Sequence, residues 1–288
     1  MTGIRLGVDV GGSATKWVLL DETGAMLDAG STPTPRAGPA AVIELVAELA
    51  AQSKEPTAIG VAVPGLVDTA SGATLFIPNV GGDWAGFPFT ERLAARTSTP
   101  ATVINDGRAF ALAELRQGAA KGLSEALFVV VGTGIGGALA VGGRVLHNRR
   151  DNFGAIGHMT VRPNGDRCTC GNRGCLETVA SARALATKTA TAEQVAAAAA
   201  QGDPTSARRI LRAGRELGLA ISSTLAFLGF STAVVGGGVA GALPQMLPAI
   251  VAELDDRTAM LGTCHVHPGA LGPHAGAIGA ALWTLEGP

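Results

Sequence analysis

The sequence predicts an α/β fold, and three observations carry that prediction. Short apolar runs recur along the chain, and each ends in Gly or Asp before a turn or a helix-periodic stretch. Hydrophobic residues make up 47% of the 288 residues and charged ones 16%, enough for one or two buried cores and unlike a disordered composition. The 41 glycines follow no three-residue period, so they mark tight turns or ligand-cradling loops rather than a collagen repeat.

Taken in order, residues 4–10 read as a strand ending at Asp9 and Gly11-Gly12, residues 17–20 as a second strand and residues 25–30 as a third. Residues 38–51 carry Ala41, Val42, Leu45, Val46 and Leu49 on a helical period. Residues 58–63 form a strand closed by Pro64-Gly65, and residues 102–104 another, followed by a helix over 107–117. Strands at 126–131 and 138–141 flank a Gly-rich turn. After a Cys-rich loop, 176–228 is mainly helical, 233–235 a strand, 243–254 a helix and 275–285 a final helix. The early strands meander before the first helix, unlike a dinucleotide-binding unit.

Composition excludes several function classes. Eight Phe, three Trp and no Tyr leave no stacking platform for nucleic acid, and a net charge of −1 without a basic run argues against binding a phosphate backbone. Residues 126–143 and 218–252 carry no charge, but glycines, Ser222, Ser223, Thr224 and Pro244 interrupt them, so buried elements are expected rather than membrane spans. The N-terminus shows no secretory leader, and a cytoplasmic protein is expected.

Four motifs carry chemistry. Asp9, Gly11, Gly12, Ser13, Thr15 and Lys16 surround a turn where backbone N–H groups, hydroxyls and an ammonium would hold an anion, with Asp9 able to hold a metal ion through water; a plain hairpin turn is the alternative. Gly132, Thr133 and Gly134 open a second such turn over 132–137, so two loops could grip one polyphosphate, and Gly237 in a third glycine run suits its nucleoside end. Asn105-Asp106 ends a strand at a helix start, where a carboxylate could take a proton from a substrate hydroxyl; helix capping is the alternative. His158, Cys168, Cys170 and Cys175 offer one imidazole and three thiolates to a structural zinc; disulfide pairing is the rival, though it leaves one of the three cysteines unpaired. Cys264 lies apart and reads as a small buried hydrophobe.

The ordered set of Asp9–Lys16, Pro64-Gly65-Leu66-Val67-Asp68, Pro78-Asn79, Asn105-Asp106, 132–137, Gly157-His158 and the C-x-C-G-x-x-G-C-x-E stretch from Cys168 to Glu177 resembles the ROK family of sugar kinases and sugar-responsive repressors. The resemblance runs from Ile4 to about Leu285. It implies a two-domain, actin-like (ribonuclease-H-like) fold with an interdomain cleft, with 1–118 plus 275–288 as the smaller domain and 119–274 as the larger. It further implies ATP-dependent phosphorylation of a hexose or modified hexose, through the 6-hydroxyl, with Asp106 as general base. Gly65, Asn79, Asn105, His158 and Glu177 would contact sugar hydroxyls, His158 would also ligate zinc, and the turns at Gly11–Ser13 and Gly132–Gly134 would hold ATP phosphates and magnesium. A homodimer is expected.

Two departures from the family pattern stand out. Ala155 replaces the glutamate usual in G-E-x-G-H, and Asn105-Asp106-Gly107-Arg108 replaces N-D-A-N. A modified sugar, such as an amino, deoxy or acidic one, is therefore expected, with Arg108 contacting it near the altered edge; the alternative has Arg108 facing solvent. Family repressors carry a DNA-binding module before the phosphate motif, and the motif at Asp9 leaves no room for one here. A non-catalytic sugar-binding protein and a polyphosphate-dependent kinase are the remaining alternatives.

Overall fold

The computed structural model describes residues 3–53, 55–238 and 241–287. The leading Met1-Thr2 and the final Pro288 of the expected smaller domain lie outside the described residues. Two compact units emerge: Met1–Gly118 with Val145–Phe153 and Pro273–Pro288, and Ala119–Arg144 with Gly154–Gly272. The sequence reading placed 145–153 in the larger domain, whereas its contacts count it with the first unit. Asn105 N–H donates to Asp151 (2.8 Å), Thr69 N–H to the Arg149 carbonyl (3.0 Å), and His147 packs edge-on against Trp283.

The first unit begins β1 (Arg5–Val10), β2 (Ala14–Leu20), β3 (Met26–Pro33), α1 (Pro39–Gln52), β4 (Ala58–Val63), β5 (Leu66–Asp68), β6 (Ala73–Phe76), α2 (Phe89–Thr97), β7 (Ala101–Asn105) and α3 (Asp106–Gln117). Its main sheet runs β3-β2-β1-β4-β7, with β1 antiparallel to β2 and parallel to β4. The two-residue period of β1 and β4 sends Leu6, Val8, Val10, Ile59, Val61 and Val63 into one core with Val42 and Val46 of α1. On the opposite face, Gly7 and Gly60 sit side by side in register.

The second unit holds β8 (Ala126–Val131), β9 (Ile135–Val141), the start of β10 (Arg144–Val145), a 3₁₀ turn (Ile156–His158), α4 (Glu177–Ala180), α5 (Ala182–Leu185), α6 (Ala192–Ala200), α7 (Pro204–Leu228), β11 (Thr232–Gly236), α8 (Leu243–Asp255), α9 (Thr258–Leu261) and β12 (His265–Pro268). Its sheet runs β10-β9-β8-β11-β12, the same arrangement of one antiparallel hairpin and two parallel neighbours seen in the first unit. The uncharged run 218–252 resolves into the end of α7, β11 and most of α8, and no helix among the described residues is long and apolar enough to cross a membrane. Cys264, expected buried, is only partly so, packed at the margin of this unit's core.

The final helix, α10 (Ala275–Glu286), returns to the first unit. Gly7 and Gly60 face the backbone of Ala277 and Ala280, and Gly279 faces the Ala109 carbonyl of α3, so any side chain at these three glycines would collide with main-chain atoms. Backbone-close packing of α10 on β1, β4 and α3 follows from three missing methyl groups.

Candidate active site

The first unit gathers the charged part of the site. Its β1–β2 turn is a true hairpin: Gly11 N–H donates to the Ala14 carbonyl (3.1 Å), and Asp9 pairs across the strands with Lys16. Thr15, read as a donor toward an anion, is instead fully buried and bonds Thr34 (2.9 Å), which in turn donates to the Gly11 carbonyl (2.7 Å). The hydroxyl left facing outward is that of Ser13. Burial raises the Asp9 carboxyl to about 6, with the Lys16 ammonium opposing.

At the β7–α3 junction the capping reading holds, on Asn105 rather than on Asp106. Asn105 is the helix cap: its Oδ1 accepts from the backbone of Gly107 (2.9 Å) and Arg108 (3.3 Å). Asp106, the first helical residue, accepts on Oδ1 from Gly107 N–H (2.8 Å) and Asn105 Nδ2 (3.0 Å), leaving Oδ2 without a hydrogen-bond partner among the described residues. Burial, and after it the charge of Asp9, raises the Asp106 carboxyl to about 7; Asp151 adds to the rise, while Gly107 N–H and Arg108 oppose it. A base with that pKa near neutrality is well matched to proton transfer.

Gly65 and Asn79 join the same neighbourhood. Asn105 Nδ2 donates to the Gly65 carbonyl (2.8 Å), and Gly65 takes φ 100°, where a side chain would strike Phe76 and Pro78. Asn79 holds a left-handed φ of 68° and presents its carbonyl to Gly12. Asparagine enters that region more readily than most side chains, so the turn is met without a glycine.

Arg108 corrects the sequence reading on both of its branches. The side chain is 2% exposed, so it does not face solvent. Nor is it free to meet a substrate: Nε lies 2.5 Å from Asp151 Oδ1, one terminal nitrogen donates to Asn105 Oδ1 (2.7 Å) and the other to the Phe153 carbonyl (2.6 Å). Sequence reasoning missed Asp151. The one available signal was an arginine in the first turn of a helix, where the macrodipole disfavours a cation and a buried acid is needed beside it; spacing does not say which acid.

The second unit carries the uncharged turn and the sulfur cluster. Gly132 N–H donates to the Gly134 carbonyl (2.9 Å) in the β8–β9 hairpin, and Thr133 is exposed at its tip. Glu177, expected on a sugar hydroxyl, spends one oxygen on this turn: Oε2 accepts from Ile135 N–H (3.0 Å) and lies against Gly134. Gly237 takes φ 105° and abuts the Val131 carbonyl, where a Cβ would stand at 2.5 Å, so this glycine belongs to a close approach of backbones.

His158, Cys168, Cys170 and Cys175 converge with their ligand atoms within 4.8 Å of one another. His158 Nδ1 lies 3.6 Å from Cys168 Sγ, and Cys170 Sγ lies 3.7 Å from Cys175 Sγ. A tetrahedral zinc with Zn–S of about 2.3 Å spaces its sulfurs by about 3.7 Å, so the four residues fit a closed structural zinc site. The cysteines are free thiols, at odds with the disulfide alternative. Burial, with crowding by Cys170 and Cys168, pushes the Cys175 thiol up to about 12, the condition a bound cation reverses.

Two α/β units of matching sheet order, each with a Gly-rich hairpin turn, define the actin-like two-domain class, and comparison with known proteins places the chain within it. A Streptomyces griseus structure, titled a ROK family glucokinase in complex with glucose and AMPPNP, superposes with a TM-score of 0.87 at 28% identity, covering 99% of this chain and all of that one. The ROK family profile matches residues 5–286, and the chain belongs to that family. Thermotoga maritima glucokinase is 32% identical over 98% of this chain and 97% of its own length. The N-acetylmannosamine kinase of Escherichia coli O7:K1 is 31% identical over 97% and 98%. Against the glucokinase of Halalkalibacterium halodurans the identity is 36% over 63% of the chain, which spans 57% of that relative's length.

Proposed function

We propose that the protein transfers the γ-phosphoryl group of ATP to a hydroxyl of a hexose or modified hexose, the 6-hydroxyl being the acceptor. The observation that carries this reading is the Asp106 carboxylate, raised to about 7 with Oδ2 unengaged, in a chain of the ROK family. In the transfer, the sugar oxygen forms a bond to phosphorus while the bond to the β,γ-bridging oxygen breaks. The hydroxyl proton passes to Asp106 Oδ2, and ADP leaves. Such transfer depends on position and charge neutralisation more than on covalent chemistry.

Gly65, Asn79 and Asn105 would position the sugar with Asp106, and the amides and hydroxyl of Gly11, Gly12 and Ser13 with Lys16 would hold phosphate oxygens. Gly132, Thr133 and Gly134 would supply a second donor set, with the turn at Gly237, packed on the Val131 backbone just before them, next to the nucleoside. Asp9 would hold magnesium through water, an ion that neutralises phosphate charge. Zinc, held by His158 Nδ1 and the three cysteines, would supply a rigid crosslink. His158 Nε2 would then carry the proton and donate to a sugar hydroxyl, beside Glu177.

Ala155 offers no acceptor where the family pattern has glutamate, so a sugar altered at that edge is favoured; losing such an acceptor costs a ligand that needs it about 1–3 kcal/mol. The full-length resemblance to an N-acetylmannosamine kinase supports an amino sugar. A cytoplasmic homodimer completes the proposal, and light scattering on the purified protein tests its oligomeric part.

The deciding experiment is ADP release with magnesium over glucose, mannose, N-acetylated hexosamines, free amino sugars and deoxy sugars, with Asp106→Asn as control. A sugar whose turnover vanishes in the control supports the reading. Turnover with polyphosphate alone reassigns the donor, and sugar binding without turnover by the folded protein reassigns it as a binding protein.

A further inference from the structure

The Arg108–Asp151 pair is absorbed by nothing in the reading above. Both side chains are at most 2% exposed, and one buried charge without the other would be strongly disfavoured. Asp151 also adopts φ 49°, a left-handed conformation that a residue without Cβ takes more easily.

Its contacts join one ion pair to a chain of hydrogen bonds. Asp151 Oδ2 accepts from Asn105 N–H (2.8 Å) while Oδ1 faces Arg108 Nε. Arg108 donates to Asn105 Oδ1 (2.7 Å), adding a charged donor to the two backbone N–H groups already there. An amide whose oxygen is claimed by three donors must turn its nitrogen the other way. That nitrogen donates to Asp106 Oδ1, so one carboxylate oxygen is engaged and the other is left for a substrate.

Resting on the kinase reading, we propose that Arg108 and Asp151 are a buried positioning pair that fixes the Asn105 amide and through it aims Asp106 Oδ2 as the base. Without Arg108 the amide loses its strongest orienting donor, and its oxygen can swing toward the Asp106 carboxylate, which it repels. The charged groups acting on Asp106 are Asp9 of β1, with Lys16 of β2 beside it, Arg108 of α3 and Asp151 of the 145–153 segment. Of these, Arg108 favours the ionised base and Asp151 opposes it.

The test compares the intact protein with Arg108→Met, Asp151→Asn and the double variant. The double variant removes both charges, so it guards against misfolding from a lone buried ion. The first readout needs no activity: the Asp106 carboxyl titration, followed by ¹³C NMR in aspartate-labelled protein with Asp106→Asn to assign the signal. The pair predicts an upward move in Arg108→Met and a downward move in Asp151→Asn. Kinetics supply the second readout: kcat falls on the order of 100-fold in the double variant, the size of effect a small misplacement of a catalytic group produces, while the KM for ATP stays within about twofold. A folded double variant with wild-type kcat, or single variants whose Asp106 titration stays where it is in the intact protein, overturns the proposal. If the wild-type protein turns over no sugar, the kinase reading falls, and the titration alone decides whether the pair positions Asp106.

Discussion

The two Gly-rich hairpins occupy the same place in two sheets of the same order, yet they are built from opposite chemistry. The β1–β2 turn lies beside Asp9, Lys16 and Asp106, and burial lifts both carboxyls well above the usual range, with the charge of Asp9 adding to the rise at Asp106. The β8–β9 turn over 132–137 contains no ionisable residue, and an acidic contact, Glu177, arrives from α4, two residues after Cys175. Topology therefore sets where a Gly-rich hairpin turn can form, while neighbouring elements decide whether it sits among titratable groups or only offers backbone donors.

The sharpest way to test that division is at the charged hairpin. Asp106→Asn removes the base with little change of shape, and kcat is expected to drop by about 10²–10⁴-fold while the thermal midpoint is kept, read by coupled ADP release and calorimetry. Retained turnover would move the proton to another group. On the neutral side, Cys175→Ser breaks the buried corner of the sulfur cluster. Loss of the metal equivalent, measured by atomic emission, is expected together with a lowered midpoint of unfolding. A gentler probe is Gly134→Ala, whose methyl would collide with Glu177 Oε2 and displace it from Ile135 N–H. The KM for ATP should rise by about tenfold with kcat nearly unchanged, a loss of uniform binding. An effect confined to kcat would show that the second hairpin takes part in the chemistry.

The smallest effect is one of pH. Asp9 and Asp106 have folded pKa values raised to about 6 and about 7 from 3.8. The folded state thus binds more protons than the unfolded one between about pH 4 and 7, and stability from these groups declines as pH rises through that window. Activity runs the other way, because the base works only when ionised, so kcat/KM should climb toward and past pH 7. Asp106→Asn should flatten its part of the stability slope. A midpoint that rises with pH in the wild type but not in the variant would contradict the raised value.

Much of this was legible in the residues. The strands at 58–63 and 126–131 match β4 and β8 residue for residue, because uninterrupted apolar runs bounded by turn residues leave little choice. The short β5, β6, β10 and β12 escaped notice: they hold two to four residues each, and β12 carries two histidines on a sheet edge, so no alternation develops. The convergence of His158 with the three cysteines was readable, since it depends on local spacing, and Asp106 and the glycine turns stand at the strand ends where the sequence placed them. Thr15 and Arg108 were misplaced because burial of a polar group depends on a partner far along the chain, Thr34 in one case and Asp151 in the other. Pairings of that kind leave no periodic trace.

The glycine contacts of α10 bear on how this chain is made. The first sheet exposes Gly7 and Gly60 to a helix that leaves the ribosome only after the entire second unit has been synthesised. The later-made unit can therefore close on its own residues, while the earlier one lacks its covering helix until the end of synthesis. A substitution at Gly279 or Ala280 would thus damage the oldest part of the nascent protein, and a chaperone that shields the uncovered face of β1 and β4 would matter most during that interval.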